Sequence, residues 1–234
     1  MYFTLIIPAY NEEERIEKVV NTYGPYFEEK FPGKFEFLII VNNSSDRTLE
    51  VVKELQRTHH YLRWANFPYY TGKGGALVEG FKIANGEVIG FVDSDLAVVP
   101  DQYMRLFSEI EDNDVVIASR WVKGAKVMKW ESWKTVFAGR IYNLIVRGFF
   151  GLNVKDTQCG GKIFKKEVVK RIIPNIRVKG FGIDLDLLYK SKKAGARIKE
   201  IPITWSHINE GSKTRVMNSS KMMFKELFIT RFKK

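Results

Sequence analysis

Two carboxylates, Asp93 and Asp95, stand two apart in "FVDSDLA", directly after an apolar run that reads as a buried strand. At the end of such a strand both would emerge into a crevice. Hard oxygen donors placed this way suit a divalent ion, Mg²⁺ or Mn²⁺, that neutralises a bound diphosphate. The competing explanation is an ordinary turn with the same spelling. Three more stretches carry usable polar groups. "IPAYNEEE" puts Pro8, Ala9, Tyr10 and Asn11 at the end of the first strand, where a base or ribose could lie. "TGKGGA", residues 71–76, departs from a P-loop, yet Gly72, Gly74 and Gly75 either let a ligand approach the backbone at a helix N-terminus or form a tight turn. "HINEGSKTR", residues 207–215, offers Ser212, Lys213 and Arg215 to a diphosphate, or is an exposed basic turn.

The single cysteine, Cys159, sits in "KDTQCGGKIF". Thiol catalysis normally needs a general base, and none of His59, His60 and His207 lies in a motif that presents it to Cys159. A small, half-buried lining residue is therefore expected there.

These groups need a scaffold, and the chain has an α/β rhythm. Strands are expected at 3–7, 35–41, 87–92 and 114–119, with loops gathered at the carboxyl ends of parallel strands. Helices are expected from "NEEERIEKVV", with acids in its first turn, from "SSDRTLEVVKEL", and after the glycine loop of "GKGGALVEGFKIA". Residues 121–133 interleave basic and aromatic side chains with no period and read as a mobile loop. Residues 134–150 have apolar side chains at 137, 141, 144, 145 and 149, which fits a core helix or one lying at a membrane surface beside Arg140 and Arg147. The tail repeats that recipe with Phe224, Leu227, Phe228 and Phe232 among cations, and membrane contact is the better reading there.

The 234 residues, 45% of them apolar, are enough for one catalytic domain over 1–205, followed by a basic loop and amphipathic helix over 206–234. One cysteine gives no intramolecular disulfide, and the start of the chain reads as neither secretory signal nor spanning helix, so a cytoplasmic protein is expected. No apolar run approaches the roughly 20 residues a spanning helix requires. The formal charge of +11 is concentrated: residues 121–181 hold 14 Lys or Arg against 3 Asp or Glu. That half suits an anionic partner, whether lipid headgroup, phosphate-bearing substrate or nucleic acid.

In order and spacing, "IIPAYNEEERI", "SSDRT", "GKGGALVEGF", "FVDSDLA", "ASR", "KDTQCGGKIF", "FGIDLDLLYKS" and "NEGSKTR" resemble the inverting glycosyltransferases of family 2, most closely those that load dolichyl phosphate. The resemblance implies an A-type glycosyltransferase (GT-A) fold, a mostly parallel sheet flanked by helices. It implies a nucleotide-sugar donor, UDP-glucose first and GDP-mannose as the alternative, a divalent metal, and a dolichyl or other polyprenyl phosphate acceptor at the cytosolic face of a membrane. Carried over by motif, Pro8, Ala9, Tyr10, Glu12 and Asp46 would hold the nucleoside, with Lys73 nearby. Asp93 and Asp95 would serve ribose and metal. Asp156 and Gln158 would face the reacting sugar and phosphate, Ser212, Lys213 and Arg215 would hold the pyrophosphate, and Arg120, or secondarily Arg140, would bind the acceptor phosphate.

Three departures accompany it. Asn42-Asn43 stands where the family has two aspartates, followed by Ser44 for glycine, which bears on the base contact expected at Asn42. Gly161 replaces an aromatic residue at the sugar pocket, and the expectation is a protein without the N-terminal anchor of eukaryotic relatives, whose attachment would fall to 134–150 and the tail. Two rivals stand beside this reading. One is a basic nucleic-acid-binding module, disfavoured because no recognition motif accompanies the charge. The other is an inactive relative that binds a nucleotide sugar without transferring it.

Overall fold

A computed structural model describes residues 2–129, 132–206 and 225–232. Seven strands form one sheet in the order β3-β2-β1-β4-β7-β5-β8. They are β1 (Phe3–Ala9), β2 (Phe35–Asn42), β3 (Leu62–Phe67), β4 (Val88–Phe91), β5 (Val115–Ser119), β7 (Lys162–Lys165) and β8 (Ile198–Pro202). All neighbours pair in parallel except β7, which runs antiparallel to both β4 and β5. A second, two-stranded sheet joins β6 (Lys126–Lys129) to β9 (Thr204–Ser206).

Alternation along the central strands divides the core into two layers. Phe3, Leu5 and Ile7 of β1 and Phe37, Ile39 and Val41 of β2 pack with α1 (Ile16–Lys30) and α2 (Thr48–Thr58). Ile6, Leu38 and Ile40 face the other way, toward α3 (Gly72–Ile83), α5 (Trp133–Phe150), α6 (Lys166–Ile172) and α7 (Ile183–Lys193). The short α4 (Pro100–Met104) closes the first layer through the buried Tyr103. With helices on both faces the parallel strands can be apolar on both, as β1 and β2 are.

The structure revises several local expectations. α1 starts at Ile16, so Glu12, Glu13 and Glu14 precede it. Asn11 has a φ of +54°, and the Glu12 amide is taken by Thr48 Oγ1 at 2.8 Å, which holds this stretch against the start of α2. Residues 121–133 are not simply a loop, because β6 lies within them. α5 forms as expected, but the stripe 137, 141, 144, 145 and 149 is not its core face. Tyr142, Asn143, Val146 and Phe150 are buried, whereas Phe137, Ile141, Leu144, Ile145 and Phe149 are 62%, 43%, 69%, 40% and 43% exposed. No helix among the described residues is long and apolar enough to cross a membrane.

Candidate active site

The carboxyl ends of β1, β2, β4 and β5 open on one rim. Because β7 is antiparallel, residues 156–161 enter the sheet from that same rim, Lys162 lying opposite Phe91 and Ile117. Here a cleft of about 180 Å³ is lined by Asp93, Asp95, Arg120, Gln158, Cys159 and Trp205 among others. The structure thus gathers four of the expected residues from three separate motifs.

Asp93 Oδ1 lies 2.7 Å from Lys73 Nζ. A Cβ on Gly160 would come within 2.6 Å of Asp93 Oδ2, so glycine there leaves that oxygen room. Asp95 Oδ1 accepts the Ala97 amide at 2.9 Å. Burial and the neighbouring Asp93 push the Asp95 carboxyl up, and Ala97 N–H and Lys73 only partly offset them. A carboxyl pushed up by burial and by a neighbouring carboxylate is one that a cation would stabilise. Among the described residues no cluster of three or more His, Cys, Asp or Glu could hold a metal. Mg²⁺ is commonly held by one or two carboxylates plus substrate phosphates, and Asp93 and Asp95 offer two carboxylates.

Behind Asp93 runs a buried chain of charges that the sequence reading missed. Lys73 also reaches Asp184 Oδ2 at 3.5 Å, and Asp184 Oδ1 pairs with Lys162, which is completely buried. Lys162 donates as well to the Cys159 carbonyl at 2.6 Å. Burial alone would push the Lys73 ammonium's pKa down, but Asp184 and Asp93 outweigh it and raise it. Burial likewise opposes ionisation of Asp184, and Lys162 and Lys73 overcome it and hold its carboxyl below the usual range. The motif "FGIDLDLLYKS" contained Asp184, and "CGGKIF" contained Lys162, but nothing local joins them.

Arg120, at the end of β5, makes a fork to Asp156: Nε to Oδ2 at 2.7 Å and Nη2 to Oδ1 at 2.9 Å, with its own amide 3.0 Å from Oδ2. The guanidinium lies 5.1 Å from the Trp205 ring centroid. Asp156 is 0% exposed and is held on Arg120, while Gln158 and Arg120 line the cleft. Burial works against the Asp156 charge, but Arg120 outweighs it and holds the carboxyl below its ordinary range. Such a carboxylate is a weak base, suited to orienting Arg120. Glu200 of β8 anchors the segment by accepting the amides of Lys155 and Asp156.

The remaining candidates sort by place. Tyr10 is half exposed and packs edge-on to Tyr70 at 5.2 Å, leaving an aromatic surface beside Pro8 and Ala9 on the rim. Glu12 is forked by Arg15 at 2.6 and 2.7 Å, and burial nevertheless pushes its carboxyl up. Asp46 spends its oxygens inside the protein, on Thr48 and the Glu13 amide. Asn42 does the same: Oδ1 accepts the Thr71 amide and hydroxyl, each at 2.8 Å, while Nδ2 donates to the Gly72 carbonyl at 3.3 Å. An aspartate there could accept from Thr71 but could not donate to Gly72. Arg140 sits 4.4 Å over the Trp121 ring, in a second cavity of about 420 Å³ with Arg147 and Lys155, and is not gathered with Arg120. Ser212, Lys213 and Arg215 lie outside the described residues.

The glycine run needs correction. α3 begins at Gly72 itself, whose φ is +71°. The close approach is made by the protein's own backbone: the Lys179 carbonyl accepts the Gly74 and Gly75 amides at 2.8 and 3.2 Å. A Cβ on Gly74 would sit 2.7 Å from the Val178 carbonyl oxygen. These amides are spent, so this helix start is not an open anion cradle.

Cys159 is 1% exposed, and burial followed by the Asp156 charge pushes its thiol up to about 12. Iodoacetamide at about pH 8 should leave the native protein unlabelled and react fully only after denaturation. Rapid stoichiometric labelling of the folded chain would restore the thiol as a candidate nucleophile.

Known proteins give the comparison its scale. The model for "Glycosyl transferase family 2" matches residues 4–173. Dolichyl-phosphate beta-glucosyltransferase ALG5A of Trichomonas vaginalis is 30% identical over 231 residues, covering 95% of this chain and 71% of the relative. The dolichyl-phosphate beta-glucosyltransferase of Dictyostelium discoideum is 28% identical over 249 residues, covering 100% and 75%. Glucosyl-3-phosphoglycerate synthase from Mycobacterium tuberculosis, solved with Mn²⁺, UDP-glucose and phosphoglyceric acid, superposes with a TM-score of 0.72 at 18% identity, over 98% of this chain and 79% of that one. At that identity the likeness concerns the fold, which is GT-A.

Proposed function

From the premise that this chain belongs to glycosyl transferase family 2 and is a glycosyltransferase, we infer that it transfers glucose from UDP-glucose, with inversion, to dolichyl phosphate. The observation that carries this reading is one cleft with two acids at the end of β4 and an oriented guanidinium at the end of β5. The acids suit a metal-bound diphosphate, and the guanidinium suits a phosphate acceptor. The relatives named above supply the sugar and the lipid.

The division of labour follows from charge. A phosphate monoester is already anionic at neutral pH, its second pKa being about 6, so it brings its own nucleophile. The difficulty is to bring two anions together in line. In this reading Arg120 holds the acceptor phosphate, and Asp156 keeps the guanidinium in one orientation. Gln158 hydrogen-bonds the reacting groups, and Pro8, Ala9, Tyr10 and Glu12 hold the nucleoside. Asn42 and Asp46 act indirectly, by fixing the loops around it. Asp93 and Asp95 would hold a Mg²⁺ or Mn²⁺ ion, which when bound offsets charge on the leaving diphosphate. Ser212, Lys213 and Arg215 would close over the pyrophosphate. Orientation and preorganised charge then supply the rate.

The acceptor's tail requires an apolar boundary. The outward stripe of α5, continued by Phe228 and Phe232 at 63% and 67% exposure, supplies a surface for the bilayer, with Arg140, Arg147 and Lys155 placed for anionic headgroups.

A Mn²⁺-supplemented panel of UDP-glucose, UDP-GlcNAc and GDP-mannose against a short polyprenyl phosphate tests this. UDP-glucose should be used first. Preference for GDP-mannose would overturn the donor, and no transfer from any donor would overturn the acceptor.

A further inference from the structure

Segment 177–182, which leads into α7, is held by two carboxylates. Asp186 Oδ2 accepts the Arg177 and Val178 amides at 3.0 and 3.3 Å. Glu226, far along the chain in the helical stretch 225–232, accepts the Gly180 amide on Oε1 and the Gly182 amide on Oε2, both at 2.8 Å. Glu226 is 6% exposed, and a Cβ on Gly182 would lie 2.9 Å from its side chain, so the fit is close. Between these two fixings the Lys179 carbonyl binds the Gly74 and Gly75 amides. Just beyond them Asp184 pairs with Lys73 and Lys162. Both routes end at Lys73, whose ammonium is 2.7 Å from Asp93.

Two glycines flanking a single residue would sample many backbone states without an external acceptor. A buried carboxylate that takes both amides through charge-assisted bonds selects one of those states. The same helical stretch presents Phe228 and Phe232 outward and stacks Arg231 over the Phe149 and Tyr189 rings at 5.7 and 5.8 Å.

We propose that Glu226 is a positioning residue for the donor cleft: docking of the C-terminal helical stretch through Glu226 fixes residues 178–184, and these fix Lys73 against Asp93. The coupling lies within the chain itself; only its effect on turnover rests on the function proposed above.

Amide hydrogen exchange on the full chain, compared for wild type, Glu226→Ala and Glu226→Gln, tests it. In Glu226→Ala exchange should speed by about tenfold or more at Gly180 and Gly182 and also at Gly74 and Gly75, while β1 and β2 stay protected. Glu226→Gln, whose carboxamide oxygen serves one amide while its NH₂ faces the other, should be intermediate and keeps the test alive should the alanine variant fail to fold. Acceleration confined to residues 178–182, or none, would overturn the proposal. In turnover the KM for UDP-glucose should rise about fivefold with the KM for the lipid acceptor unchanged, a split that general destabilisation does not produce. A wild-type chain inactive with UDP-glucose would sink the functional reading and leave the exchange result decisive.

Discussion

Replacing Arg120 with alanine should lower the melting temperature by roughly 10 °C and the transfer rate by about 100-fold or more. The stability loss comes from Asp156, which would keep its charge at a completely buried position after losing both guanidinium bonds. Breaking a buried pair in this way typically costs about 3–5 kcal/mol. Because the Asp156 carboxyl is held below its ordinary range, the pair's contribution is complete above the unfolded-state pKa, about 3.9, and disappears as pH falls through the lower folded value. The double variant Arg120→Ala with Asp156→Asn separates structure from chemistry. It removes the orphaned charge and should recover most of the melting temperature, while transfer stays lost. Recovery of activity together with stability would show that Arg120 serves only to balance Asp156.

Asp95→Ala should have the opposite profile. Without ligands its stability should stay within about 1 kcal/mol of wild type, because the lost Ala97 bond is offset by relief of repulsion from Asp93. What should vanish is the gain from UDP with Mn²⁺, worth about 2.7 kcal/mol when ligand stands at 100 times its dissociation constant. The transfer rate should fall by about 10³-fold. A thermal shift by UDP and Mn²⁺ that survives the substitution would remove Asp95 from the metal site.

What could be read from the sequence was whatever has a short period. β1, β2, β4 and β5 are apolar runs, and α5 shows its helical spacing, so their existence was legible. Which face of α5 is buried was not, because an apolar stripe looks the same whether it meets a core or a membrane. β7 escaped notice since "KIFK" has lysine at both ends. Lys162 is tolerated in the middle of the sheet because Asp184, 22 residues later, neutralises it and the Cys159 carbonyl accepts a second bond. The glycines at 72–75 fit either a ligand's approach or a tight turn, and the group that comes close is the carbonyl of Lys179, a partner that no local pattern announces. Family resemblance supplied Arg120 and Asp156 separately. Their bidentate pairing, which makes one the support of the other, is visible only in the structure.

β7 has a consequence for the reaction's dimensions. It is the single strand between β4, which ends two residues before Asp93, and β5, which ends at the residue before Arg120. Neighbouring strands lie about 4.8 Å apart, so the inserted strand sets the two roots about 10 Å from each other. A sheet with β4 beside β5 would halve that distance. β7 is thus a spacer: under the function proposed above, its four residues set how far the metal-binding acids stand from the acceptor's guanidinium.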